Sequence, residues 1–173
     1  MTDVDRSFQA SWGTLLKVLT LLVIVVLIGV PGWLLLSKDC TATEVVLYSG
    51  IPIIILFIAL LFTVKGYVIR GNVLGVRRLL WETEIDLSSL VSVYHDSKAM
   101  TGSIRTLGNG GLFSFSGKYR SGKLGPFRAF VTDFRNCVVL KLAEQVIVVS
   151  PDNPEMFVEI LSNIHSAHAE PPV

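Results

Sequence analysis

Cysteine is almost missing from this chain, and acidic residues are missing from one long stretch of it. Cys40 and Cys137 are the only cysteines in 173 residues. Their spacing is not that of a metal site, and the topology derived below puts them on opposite sides of a membrane, beyond the reach of a disulfide. Cys137, within an apolar strand, reads as a core residue. Charge is sparse as well: 17% of the residues are Asp, Glu, Lys or Arg, and the formal net charge is +1, too little to argue for a nucleic-acid partner. Phosphate-loop motifs are excluded, because the Gly108 to Gly111 cluster is not followed by Gly-Lys-Ser/Thr and Gly122-Lys123-Leu124 lacks the hydroxyl residue. There is no nucleophile elbow, no His-Glu-x-x-His pair and no cysteine cluster. Tyr94-His95-Asp96 offers a base beside a carboxylate, but neighbours along a strand face opposite sides. His165 and His168 lack a third ligand. The expectation is a protein with no catalytic residues, no cofactor and no metal.

What is abundant is apolar material, 51% of the chain with a mean hydropathy of +0.59, and it is concentrated before Lys65. Residues 18–36 are nineteen without a formal charge, between Lys17 and Lys38, and residues 45–64 are twenty more, between Glu44 and Lys65. At about 1.5 Å per residue each run crosses the hydrocarbon layer. The link 37–44 is short, so the two helices are expected to be antiparallel neighbours. Asp3 and Asp5, with an apolar run longer than a signal h-region, favour a retained anchor over a cleaved signal. Pro31-Gly32 and Gly50-Ile51-Pro52 are expected to mark kinks, which membrane helices tolerate. Neither run holds an acidic residue, His or Arg, the groups that mark ion pathways, so the hairpin reads as a tether. Arg6 and Lys17 precede the first run, Lys38 alone lies in the link, and Lys65, Arg70, Arg77 and Arg78 follow the second. This distribution places the tail 1–17 and everything after residue 64 in the cytoplasm and the loop 37–44 outside. Trp12, Trp33 and Tyr67 fall near the boundaries, where their rings suit either the headgroup region or packing against protein.

Beyond Lys65 the polarity is that of a globular domain. Residues 67–70 and 73–81 are β-prone and joined by Gly71-Asn72, a two-residue hairpin signal. Residues 129–134, 137–142 and 146–150 read as three further strands in an antiparallel meander. Between the sets, residues 84–87 and 90–94 offer one or two more. Asp152 with Glu155 resembles a capping box, and Phe157, Leu161 and Ile164 recur on one face, which predicts a closing amphipathic helix packed on the sheet.

The run Arg128-Ala-Phe-Val-Thr-Asp133, then a strand ending in Ser150-Pro151-Asp152-Asn153-Pro154-Glu155 with Phe157 leading into a terminal helix, resembles the bacterial pleckstrin-homology-like domains. The resemblance covers residues 66–165, leaving 166–173 as a flexible tail. It implies an α+β, mostly β fold behind the membrane hairpin: a bent antiparallel sheet or partly open barrel, capped by the C-terminal helix. It also implies a bacterial inner-membrane setting and an interaction module binding a protein partner, a second copy or lipid. The basic loop that lipid-binding relatives in eukaryotes carry between their first two strands is here only Gly71-Asn72, without Lys or Arg.

From Ser97 to Thr132 there is no Asp or Glu. Basic residues and glycines crowd this stretch, and Arg105, Lys118, Arg120, Lys123 and Arg128 are the candidate contacts to an anionic lipid or a partner. The competing reading is a long flexible connection with solvated charges. Leu112, Phe113, Phe115, Tyr119 and Phe127 are expected to pack the sheet rather than stack bases. The leading expectation is thus a non-enzymatic, membrane-anchored module. Two other classes stay open: an accessory subunit of a transporter or channel, and an enzyme on an envelope lipid, for which the sequence offers no residue set. A reporter fused after Val173 that is active only in the cytoplasm should be active in cells; an inactive reporter would reverse the topology.

Overall fold

The chain enters the fold through a strand that the sequence conceals. The computed structural model describes residues 6–37 and 41–169. Arg6–Gln9 (β1) runs antiparallel to Gly66–Arg70 (β2), with Phe8 opposite Tyr67. Phe8 is buried, and its ring meets Phe157 edge-on at 5.0 Å. The segment expected as a tail is therefore partly a strand of the domain. Four residues carry little local preference, so the open edge of β2 and the slot for Phe8 supply what propensity does not.

Two helices follow, Thr14–Ser37 (α1) and Ala42–Leu61 (α2), both long and apolar enough to cross a membrane, with mean hydropathies of 2.7 and 2.4. Only 6% and 11% of their most apolar windows are buried, which associates them with a membrane rather than with a soluble core. Their bounds differ from the uncharged runs 18–36 and 45–64. α1 starts before its apolar run because its first turns are part of the domain, where Leu16 and Thr20 are buried. α2 starts at a capping box: Thr41 Oγ1 accepts from the Glu44 amide, and the Glu44 carboxylate accepts from the Thr41 amide. It ends at Leu61, and Val64 turns into the domain core. Pro31 and Pro52 lie inside the helices. At Gly29, Gly32 and Gly50 an added Cβ would meet nothing within 4 Å, so α1 and α2 do not use these glycines against each other. Cys40 and Lys38, and the side chains of His165 and His168, lie outside the described residues.

The first sheet has the order β1-β2-β3-β4, all antiparallel, with Val73–Arg77 (β3) and Glu82–Asp86 (β4). The Gly71-Asn72 turn forms as expected, Gly71 taking a φ of 52°, but β3 stops at Arg77 instead of reaching Trp81. The second sheet comprises Leu90–His95 (β5), Ile104–Gly110 (β6), Phe115–Ser121 (β7), Gly125–Val131 (β8), Val138–Leu142 (β9) and Val146–Val149 (β10). Its order is β5-β9-β10-β8-β7-β6. The expected meander is not there, because β10 enters between β9 and β8 and runs parallel to β8. A 3₁₀ turn, Phe134–Asn136, capped by the Asp133 carboxylate, carries the chain away from β8 and leaves that slot open. The glycine-rich middle is not a flexible connection either, since it supplies β6, β7 and β8.

The sheets do not close into a barrel. One core lies between them and beneath Pro154–Ala169 (α3), joining Tyr67, Leu74, Phe130, Leu140, Ile147, Phe157 and Leu161. Tyr67 is therefore a core residue and not an interfacial one; its hydroxyl donates to the Phe130 carbonyl and accepts from the Ser150 amide. α3 is capped by Asn153, whose Oδ1 accepts from the Met156 amide at 3.1 Å, instead of by the expected Asp152 and Glu155 box. A second core covers the opposite face of the second sheet, where Phe115, Tyr119, Phe127 and Cys137 meet Leu16 at the base of α1. Trp12 packs against this core, whereas Trp33 is 67% exposed on α1. Because the Phe157 side chain is fully buried and touches both Phe8 and Tyr67, Phe157→Ala should destabilise the full chain by about 3–5 kcal/mol, read as a lowered unfolding midpoint in detergent.

Candidate functional site

A helix end leaves its last carbonyls without partners, and at the end of α2 the domain supplies them. Arg78 Nη1 donates to the Phe62 carbonyl at 2.9 Å, and Ser114 Oγ donates to the same oxygen at 3.2 Å. A cation there also complements the helix dipole. The guanidinium stands 5.3 to 5.7 Å from the ring centroids of Phe130, Phe62 and Trp81, and its Nη2 donates to Ser116 Oγ. Burial, and then the neighbouring Arg128, pull the Arg78 pKa below its ordinary value. Beside it the β3–β4 turn presents Leu80, 73% exposed, and Trp81, whose ring meets Phe62 edge-on at 5.2 Å.

The base of α1 is fastened to the tip of the β6–β7 hairpin. Thr20 Oγ1 donates to the Gly111 carbonyl and accepts from the Phe113 amide, both at 3.1 Å. Phe113 has a φ of 63°, a conformation that costs on the order of 1–3 kcal/mol in a non-glycine residue. The Thr20 bond and the Trp12 ring, 6.0 Å away, hold it there.

Between these two fastenings α2 and the second sheet enclose an open cavity of about 820 Å³. Ile55, Ile58 and Phe62 form its helical wall, and Leu107 and Leu112 face them from β6 and the hairpin tip. Arg78, Arg105, Lys118 and Arg128 form the basic side. In the β7–β8 register Lys118 lies directly opposite Arg128, a placement that is unfavourable for like charges. Among the described residues none of these four cations has a carboxylate in ion-pair range, and no Asp, Glu, His or Cys lines the cavity.

A family model for the bacterial PH domain matches residues 65–164, more than half of the chain. The chain belongs to the bacterial PH domain family. Neither a curated protein nor a solved structure matches it. Bacterial PH domains are interaction modules in general, and PH-like domains are generally non-catalytic; this one follows two helices suited to a membrane.

Of the residues singled out in the sequence, this PH domain brings Arg105, Lys118 and Arg128 to one cavity. Arg120 is exposed on the same face of β7 as Lys118 but does not line it. Lys123 is drawn off by Asp96, with Nζ to Oδ2 at 2.5 Å. That bond, above all, holds the Asp96 carboxyl below the usual range. His95 turns the other way, its Nε2 3.0 Å from the Arg135 carbonyl and its Nδ1 3.7 Å from Glu155, so the tempting His95-Asp96 pair does not form. The Cys137 thiol is buried and its pKa is pushed up to about 12, which makes it unreactive. Phe115, Tyr119 and Phe127 pack the sheet as expected, while Leu112 lines the cavity.

Arg78 is the residue that sequence reasoning missed. In the sequence it stands only among the orienting charges, and its position three residues before Trp81 gives no local sign that it returns to the helix end. Lys118→Glu would set an acid opposite Arg128, so thermal unfolding of the full chain in neutral detergent should show a gain of up to about 1 kcal/mol.

Proposed function

We propose that this chain is a non-enzymatic, membrane-anchored PH-like module of the bacterial inner membrane whose basic face engages anionic headgroups of the cytoplasmic leaflet. Both termini and the domain lie in the cytoplasm, with the loop after Ser37 outside, as the excess of Lys and Arg on the domain side favours. α1 and α2 are the anchor, and the module spans β1 together with everything from Lys65 to the end of α3.

The observation that carries this reading is the convergence of Arg78, Arg105, Lys118 and Arg128, without acidic partners, at the end of a membrane-length helix. Cations held close to an anionic leaflet contribute about 1 kcal/mol each. Leu80 and Trp81, beside Phe62, suit the headgroup level. The cavity lining has no acid, no His and no Cys, which favours binding over turnover.

Hydrogen exchange of the full chain in nanodiscs tests the proposal. Replacing phosphatidylcholine by phosphatidylglycerol should slow amide exchange in β6, β7 and β8 at low salt, and high salt should reverse the effect. Each of Lys118→Gln and Arg128→Gln should weaken the lipid preference about fivefold. Exchange that is independent of lipid charge would refute the proposal.

A further inference from the structure

The geometry points to a site for a single phospholipid molecule with an anionic headgroup, its phosphate on the Arg78, Arg105, Lys118 and Arg128 face and one acyl chain along α2. This rests on the leaflet reading above and narrows it, from a charged surface to a lipid held one to one.

The cavity has two chemistries in the right order. α2 has 20 residues, about 30 Å of helix, so Leu61 marks the edge of the hydrocarbon layer. Ile58 and Ile55 then lie roughly 5 and 9 Å inside it. Both are substantially exposed, 50% and 42%, and both line the cavity. The apolar wall is thus continuous with the lipid-facing surface of the helix, and a lipid enters sideways without leaving the leaflet. The basic side is set by β6, β7, β8 and Arg78, at the headgroup level below Phe62.

The cations are gathered on one side of the cavity, which among the described residues has no acid in its lining. Lys118 faces Arg128 across the strands, and Arg78 and Arg128 both stand 5.3 Å from the Phe130 ring. Charges packed this way repel unless something negative lies among them. Arg78 is held by the Phe62 carbonyl and Ser116, so it cannot retreat. Gly108 and Gly117, both in the cavity lining, are paired in the β6–β7 register, where the two backbones approach so closely that a Cβ on Gly117 would lie 2.2 Å from the Leu107 carbonyl. A volume of about 820 Å³ is in the range of about 300–1,000 Å³ that encloses small ligands. It takes a headgroup and part of one chain, leaving the other chain in the bilayer.

Native mass spectrometry of the full chain in mild detergent tests this, with phosphatidylglycerol, phosphatidylcholine, glycerol 3-phosphate and inorganic phosphate as probes. A one-to-one phosphatidylglycerol adduct is expected, at least tenfold over phosphatidylcholine and not displaced by either soluble phosphate. The double variant Lys118→Gln, Arg128→Gln should lower retention about thirty-fold, the product of about fivefold for each of two cations. Ile58→Trp, which fills the apolar half and leaves every charge in place, should lower it at least tenfold. Arg120→Gln and Lys123→Gln should leave it unchanged. Thermal unfolding is the second measurement: phosphatidylglycerol should raise the Tm of the parent and of Arg120→Gln, but not that of Ile58→Trp. Displacement by soluble phosphate would overturn the acyl half of the site. Loss of retention in the charge variant but not in Ile58→Trp would overturn the enclosed site and leave the leaflet reading standing. Retention unaffected by both variants would overturn both readings.

Discussion

The carbonyl of Phe62 is the point on which this molecule turns. It is the last acceptor of a helix suited to a bilayer, and two donors reach it, Arg78 from the turn after β3 and Ser114 from the loop before β7. Had that oxygen been left to water, the helix could swing away from the domain on a short linker. Satisfied by the domain, it fixes the angle at which α2 meets the second sheet. The bond from Thr20 to Gly111 does the same for α1. With both helices held, the space between α2 and β6, β7 and β8 is framed by hydrogen bonds at both fastenings.

The electrostatics of that space run against the stability of the isolated domain. A sheet designed only to fold would place an acid opposite Arg128, since cross-strand pairs of opposite charge are favourable. The structure places Lys118 there and pairs acids elsewhere: Glu82 with Arg70, Asp96 with Lys123, Asp133 with Arg135. An unfavourable local choice of this kind, inside an otherwise consistent fold, is what a functional site would be expected to show, and it is the basis of the proposed lipid site. Arg78 belongs to the same logic, because it serves both as a clamp on the helix and as part of the basic side of the cavity.

How much of this was legible in the sequence depended on whether the signal was local. The two long apolar helices were readable because length and absence of charge suffice, and the Gly71-Asn72 turn because it needs a particular backbone conformation. α3 was readable from its apolar period, though its cap moved by one residue to Asn153, as competing Asp and Asn side chains allow. β1 was not readable: Arg-Ser-Phe-Gln has no alternation of its own, and its partner lies across the entire hairpin. β6 and β7 were obscured by glycines, which lower strand propensity yet here permit close approach of the two backbones. Strand order was invisible in principle, since a run such as Val146–Val149 does not say which gap it will fill. The bias toward basic residues was visible because the absence of acids over a long stretch is a local fact. Which cations stand together was not visible, because Lys123 is claimed by an acid 27 residues earlier and Arg78 reaches the cavity from the turn after β3.

β1 changes what the hairpin is. β1 before it pairs with β2 after it, so the pair of apolar helices is an insertion within one domain and not an appendage at its end. The order of synthesis then matters: β1 leaves the ribosome first and has no partner until both helices have been made and Gly66 to Arg70 has followed. A chain cut between α1 and α2 would stay joined through the pairing of β1 with β2. A fragment beginning at Lys65 would bare the edge of β2 and the slot for Phe8, inviting another chain to supply the missing strand.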